Sequence, residues 1–172
     1  GWEGNANVKW LHSLKLTNQP YMARDETSKY SDLMPDGKAR IFTYQMEAKS
    51  VITFPSGGQT LPGIGLYELT GLAWSGNGKI ERVEITTDGG RSWVPAQLQE
   101  PRLPIALTRF RMPWRFDGRE SVIASRAIDE TGYRQPSRDE LIAVRGGNSI
   151  YHFNGTKFWR VQADGTVTNV DA

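Results

Sequence analysis

The sequence predicts an all-β chain, an immunoglobulin-like antiparallel β-sandwich, and three observations carry that prediction. From about Ala39 onward, short β-prone runs are separated by turn dipeptides at Asn77-Gly78, Asp88-Gly89, Asp117-Gly118, Asn154-Gly155 and Asp164-Gly165. Such pairs accept the positive φ that tight hairpins require. Apolar and polar residues alternate: Val83, Ile85 and Thr87 share one face and Arg82, Glu84 and Thr86 the other, while Phe110 and Met112 oppose Arg109 and Arg111. That is the period of a strand with one side on a core. Eighteen glycines and nine prolines supply the many turns that such a fold needs.

In chain order, Val8 to Leu16 is an apolar run rich enough for a strand. Residues 18–39 read as an irregular linker or draped loop, through Asn18-Gln19-Pro20 and Met34-Pro35-Asp36-Gly37. The predicted strands are then 41–46, 49–54, 66–75, 79–87, 92–98, 105–112, 120–129, 158–163 and 166–170. Ser137 to Val144 reads as a helical turn or two, started by Ser137 with Glu140 three residues on. Asp88-Gly89-Gly90 reads as a hairpin turn, and Trp74 and Trp93 as core or inter-sheet aromatics. No internal repeat or low-complexity tract is present.

A length of 172 residues fits one domain with appended segments. Six Trp, six Tyr and six Phe can supply much of its core. A net charge of +2, from 21 basic and 19 acidic residues, is too balanced for a nucleic-acid partner. No apolar run approaches the roughly 20 residues of a membrane helix, so no membrane partner is expected either. Zero cysteine excludes disulfides and thiolate ligands. His12 and His152 are the only histidines, and no Asp/Glu/His cluster has metal-ligand spacing, so no metal ligand is assigned. No Gly-x-Ser-x-Gly motif supports a serine nucleophile. Asn154-Gly155-Thr156 is formally a glycosylation sequon but reads first as a hairpin turn. Asp129 reads as the tie of a turn rather than a calcium ligand.

The run from Gly71 to Trp93, GLAWSGNGKIERVEITTDGGRSW, resembles the pattern G-x-A-W-S-G-x-G-x-I-x-x-V-x-[VI]-[ST]-x-D-G-G-x-x-W of the dimerisation domain in the sulfite oxidase family of molybdenum enzymes. Three further matches extend the resemblance over nearly the whole chain. Gly4 to Leu11 resembles G-x-x-x-V-K-W-L, from the end of the family's molybdopterin-binding domain. Ser125 to Pro136 resembles S-R-A-x-D-x-x-G-x-x-Q-P. Val144-Arg145-Gly146, with Asn148 and later Trp159-Arg160-Val161, resembles L-R-G … N-x-W-x-R-V with a longer spacer. Within the family, Met22 to Tyr30, Leu33 to Phe42 and Gly147 to His152 are most similar to the SoxC branch, the molybdenum subunits of sulfane dehydrogenases.

The resemblance implies an E-set immunoglobulin-like dimerisation domain over 39–172. Before it, residues 1–38 would be the C-terminal edge of the molybdopterin-binding domain plus a linker. It implies a molybdenum-molybdopterin cofactor, held mainly by a preceding domain whose cysteine ligates the metal. This chain lacks that cysteine and alone is expected to be inactive. The implied reaction is two-electron oxidation of a sulfane sulfur carried on a carrier protein, with electrons leaving to a c-type cytochrome subunit. A homodimer through the sandwich and a periplasmic location follow from the same resemblance.

Two sites carry over. Asn7, Val8 and Lys9 match the segment that contacts the pterin phosphate, for which an ammonium and backbone N–H groups are suited. Taken alone, Lys9 is a solvent-facing strand residue. Arg145 matches an arginine sent into the substrate-anion pocket, where a planar guanidinium binds an oxyanion in a two-pronged way. Taken alone, it is an ion-pair partner. Two other readings stay open: free sulfite as the substrate of the same fold, and a free-standing β-sandwich that binds or adheres.

Overall fold

The computed structural model describes residues 1–19, 21, 23–41, 44–148, 151 and 153–170, with the backbone alone at 5 and 26. Two antiparallel sheets form the sandwich. One takes β3 (Lys49–Phe54), β4 (Gly65–Trp74), β8 (Thr108–Phe116) and β7 (Gln97–Leu98) in that spatial order. The other takes β11 (Val167–Val170), β10 (Phe158–Val161), β9 (Ser121–Asp129), β5 (Ile80–Thr86) and β6 (Val94–Pro95). A small hairpin of β1 (Ser31–Leu33) and β2 (Ala39–Ile41) stands apart. Among the described residues the α-helices are α1 (Arg24–Lys29) and α2 (Arg138–Arg145), with a 3-10 turn at Gly4–Ala6.

The alternation read from the sequence is the sandwich's inside and outside. Ile52, Leu69, Phe110 and Phe116 from the first sheet meet Val83, Ile85, Ile123, Ala127, Val161 and Val167 from the second in one buried cluster. Arg109 and Arg111 are exposed on the opposite face of β8. Gly71 faces Phe110 across the β4–β8 ladder, and a Cβ there would lie 2.2 Å from Phe110 Cζ. The ring thus occupies the space that any side chain at 71 would need.

The two sheets are also joined by a buried polar bridge. Gln135 Oε1 accepts from Ser50 N at 2.8 Å, Ser50 Oγ at 2.9 Å and Ala127 N at 3.1 Å. Ser50 Oγ, its own hydrogen given to Gln135, accepts from Ser125 Oγ at 2.9 Å. A wholly buried amide is tolerable because its polar atoms find partners. Asp129 is buried too and ties its turn as expected, accepting from Ser75 Oγ, Thr131 N and Tyr133 N.

Several expectations are corrected. Val8 to Leu16 is no strand; Trp10 is 90% exposed and Leu16 99%, and the stretch pairs with no strand among the described residues. The span 41–46 is not one strand either, and Phe42 and Thr43 lie outside the described residues. β2 ends at Ile41, and 44–46 instead pair with the first residues: Glu3 N donates to Tyr44 O at 2.7 Å and Met46 N to Gly1 O at 2.8 Å. The irregular stretch 18–39 contains α1 and β1, elements too short to show a period.

The predicted strand 92–98 is split, because its chain crosses between sheets. β6 pairs with β5, Ala96 N donates to Val83 O, and β7 pairs with β8. The strand placed at 105–112 runs from 108 to 116. Its Pro113 lies beyond the two-residue β7, on a side with no ladder to donate to, where proline is tolerated.

Trp74 and Trp93 are half-buried rather than core. Trp93 lies under the Arg126 guanidinium at 4.2 Å, and Trp74 lines a groove. The Asp88 turn closes on itself through Thr86 Oγ1, Ser92 N and Ser92 Oγ. Those hydrogen bonds, led by Ser92's, hold the Asp88 carboxyl well below the usual carboxylate range. Asn154-Gly155-Thr156 is neither hairpin nor accessible sequon. Asn154 and Thr156 are buried, with Asn154 Nδ2 donating to Ala48 O and Tyr133 Oη.

Candidate functional site

α2 delivers Arg145. The helix starts as predicted: Ser137 Oγ accepts from Glu140 N at 3.1 Å, and Glu140 Oε2 accepts from Ser137 N at 2.7 Å. The bond from Ser137 N first, and then the nearby Arg134 guanidinium, hold the Glu140 carboxyl below its ordinary value. Leu141 and Arg145, four apart, share the buried face. Arg145 sits in the last turn, where a cation complements the helix dipole, and Gly146 at φ 80° ends the helix.

The Arg145 guanidinium turns onto Glu47. Its Nη2 donates to Oε1 at 2.5 Å and to Oε2 at 2.6 Å. The side chains are 8% and 19% exposed, so the pair is largely withdrawn from water. Arg40 adds a second guanidinium, Nη2 to Glu47 Oε1 at 3.4 Å. Two cations therefore converge on one carboxylate. Tyr133 stands in the field of all three charges; burial pushes its phenol up.

Glu47 also lines a groove of about 250 Å³ with Glu3, Lys49, Trp74, Tyr151 and Asn154. The N-terminal segment, the start of β3, the end of β4 and the chain after α2 converge there. Lys49 Nζ donates to Phe153 O at 2.7 Å, and burial lowers its pKa. Tyr151 N donates to Asp32 Oδ1 at 2.9 Å. Its phenol is pushed up, first by burial and then by the Glu3 carboxylate. Asn154 Oδ1 is buried without a donor among the described residues.

The sequence-predicted residues fall in two places. Arg145 stands at the Glu47 pair, whereas Asn7, Val8 and Lys9 are exposed along the N-terminal segment. None of the four lines the groove itself. Asn7 N donates back to Gly4 O, while Lys9 forms no side-chain bond among the described residues. His152 lies outside those residues. Among the described residues no group of three or more His, Cys, Asp or Glu could hold a metal. A larger open hollow, about 480 Å³, lies on the outer face of the four-stranded sheet around Arg109 and Arg111 and shares no residue with the groove.

Glu47 and Lys49 stand in no motif of the sequence, and the runs that hold Arg40 and Asn154 do not mark them as members of this site. Their only signal is three-dimensional: Arg145 and Glu47 are 98 positions apart in the chain.

Known proteins share this fold. The family profile described as Mo-co oxidoreductase dimerisation domain matches residues 40–158. The crystal structure of the sulfane dehydrogenase SoxCD from Paracoccus pantotrophus superposes with a TM-score of 0.93 and 51% identity, covering 100% of this chain and 44% of that one. Sulfite oxidase from Gallus gallus is 27% identical over 149 residues, covering 79% of this chain and 32% of the relative. An NADH nitrate reductase from Solanum lycopersicum is 30% identical over 165 residues, covering 80% of this chain and 18% of the relative. The chain thus spans a third or less of these two curated relatives. It belongs to the Mo-co oxidoreductase dimerisation domain family, in the sulfite oxidase group of molybdenum enzymes.

Proposed function

We propose that this chain is the dimerisation and pocket-completing part of a SoxC-type molybdenum sulfane dehydrogenase, which oxidises sulfane sulfur on a carrier protein. Electrons would pass to a c-type cytochrome subunit, and the enzyme would work in the periplasm as a homodimer through this sandwich. The observation that carries the reading is 51% identity over the whole chain to a sulfane dehydrogenase, against 27% to a sulfite oxidase.

The cofactor would be held mainly by another part of the same protein, with this chain as one edge. The residues fit that limited share. Lys9 is exposed with its ammonium unengaged among the described residues, and the N–H groups of Val8 and Lys9 donate to none of them. Asn7 offers less, because its N–H is taken by Gly4. Lys9 would hold the pterin phosphate as a point charge, with the neighbouring N–H groups beside it. When bound, the molybdenum group supplies the two-electron, oxygen-transferring chemistry. Arg145 would hold the oxyanion character of the sulfur substrate, its guanidinium fixed in direction by Glu47.

The exposed side chains of Val8, Trp10, Leu11, Leu14 and Leu16 support a second surface covering residues 8–16, since so long an apolar stretch gains stability only when removed from water. In this reading the cover is the molybdenum-binding part of the same protein.

The test is a substrate comparison with the longer protein purified from its source. Carrier-bound sulfane and free sulfite are each offered with cytochrome c as acceptor. The proposal expects cytochrome reduction with the sulfane carrier and little with sulfite. Fast turnover of sulfite alone would replace it by the sulfite dehydrogenase reading.

A further inference from the structure

We infer that Glu47 and Arg40 are positioning residues that keep Arg145 aimed, and its immediate surroundings net positive, for an oxyanion; this rests on the anion-holding reading of Arg145 given above. Arg145 is a long side chain at the end of a helix, and without a fixed partner it would sample many directions. One nitrogen, Nη2, meets both Glu47 oxygens at 2.5 and 2.6 Å, so the carboxylate fixes where the guanidinium lies.

A carboxylate alone would also cancel the charge, and a cancelled guanidinium attracts an anion weakly. Arg40 prevents that. It reaches the same Glu47 oxygen at 3.4 Å, leaving two positive charges against one negative. With side chains only 8–24% exposed, the surplus charge is screened less than it would be at an open surface. Glu47, Arg145 and Arg40 act together on Tyr133, while the carboxylates Glu3 and Asp32 act on Tyr151. The ligand class is a small tetrahedral sulfur oxyanion, free or at the end of a carrier thiol.

Inorganic sulfate is the probe, and its binding to the full-length molybdenum protein is read by calorimetry. Arg145→Met should weaken sulfate binding more than tenfold. Arg40→Gln should weaken it on the order of five- to tenfold, the scale of one half-buried charge. Arg40→Lys should restore it to within about twofold, which a purely structural role at 40 would not predict. Glu47→Gln should also weaken it. Because that variant leaves a buried cation and can fail to fold, the Arg40 series decides the matter, each variant first being matched for thermal midpoint.

Weakening by Arg145→Met and Arg40→Gln, with rescue by Arg40→Lys, supports the inference. Weakening by Arg145→Met alone overturns the role of Arg40 and Glu47 and leaves the reading of Arg145 standing. Sulfate binding that is absent in the unaltered protein, or unchanged in Arg145→Met, overturns both.

Discussion

Gly71 and Gln135 are where single residues decide most. A Cβ at Gly71 would lie 2.2 Å from Phe110 Cζ and 2.3 Å from Val51 O. The ring could turn, but the carbonyl belongs to a paired strand and cannot easily yield. Gly71→Ala is therefore expected to cost about 3 kcal/mol, the upper range for overpacking a core, read from the urea midpoint. A midpoint unchanged from the parent would refute the close approach. Gln135→Ala strands the N–H of Ser50 and of Ala127 inside the sandwich. It should cost about 3 kcal/mol, whereas truncating the exposed Gln97 should stay within about 0.5. Neither effect was legible as energy in the sequence. Both residues stand in the family-like runs, but Gln135 meets Ser50 from 85 positions away and no local pattern encodes that.

Among the elements, α2 was the most legible. The spacing of Ser137 and Glu140 is a local signal, and the capping bonds in the structure are the ones that spacing implies. Ser137→Ala should lower stability by about 1 kcal/mol through loss of the cap. The pH dependence has a definite sign. Glu140 and Asp88 both have carboxyls held below their ordinary values by hydrogen bonds, so each binds its proton more weakly folded than unfolded. Their contribution is fully present above the ordinary carboxylate range and is lost as pH falls through the lowered folded values. Thermal midpoints should fall between about pH 5 and pH 2. In Ser137→Ala the midpoint should already be lower at neutral pH, and a rise on acidification would contradict the sign.

Strands were legible wherever alternation was strict, as in β5 and β8. They were misplaced where the partner rather than the run sets the structure. Val8 to Leu16 has the composition of a strand but pairs with no neighbour among the described residues; 44–46 is extended because Gly1 and Glu3 lie beside it. The crossing at Ala96 splits a run that reads as continuous, since nothing local marks a change of sheet.

At the scale of the whole molecule, the sandwich gathers distant parts of the chain around one groove. Gly1 to Glu3, β3, β4 and the segment after α2 meet around Glu47 and Lys49, with Arg145 delivered by α2. Fold class was readable because turn dipeptides and alternation are local. The Arg40–Glu47–Arg145 triad was not, because its members come from distant parts of the chain and share no motif. Arg145 was singled out by resemblance, while its ion-pair partner Glu47 could be read only from the fold.

The central claim is that this sandwich serves a larger molybdenum enzyme, and intact mass with metal analysis of the protein from its native source tests it most directly. The account predicts molybdenum with a pterin in a polypeptide more than twice this chain's length, in keeping with the 44% of the SoxCD chain that it covers. A stable native species of 19.3 kDa without molybdenum would contradict it.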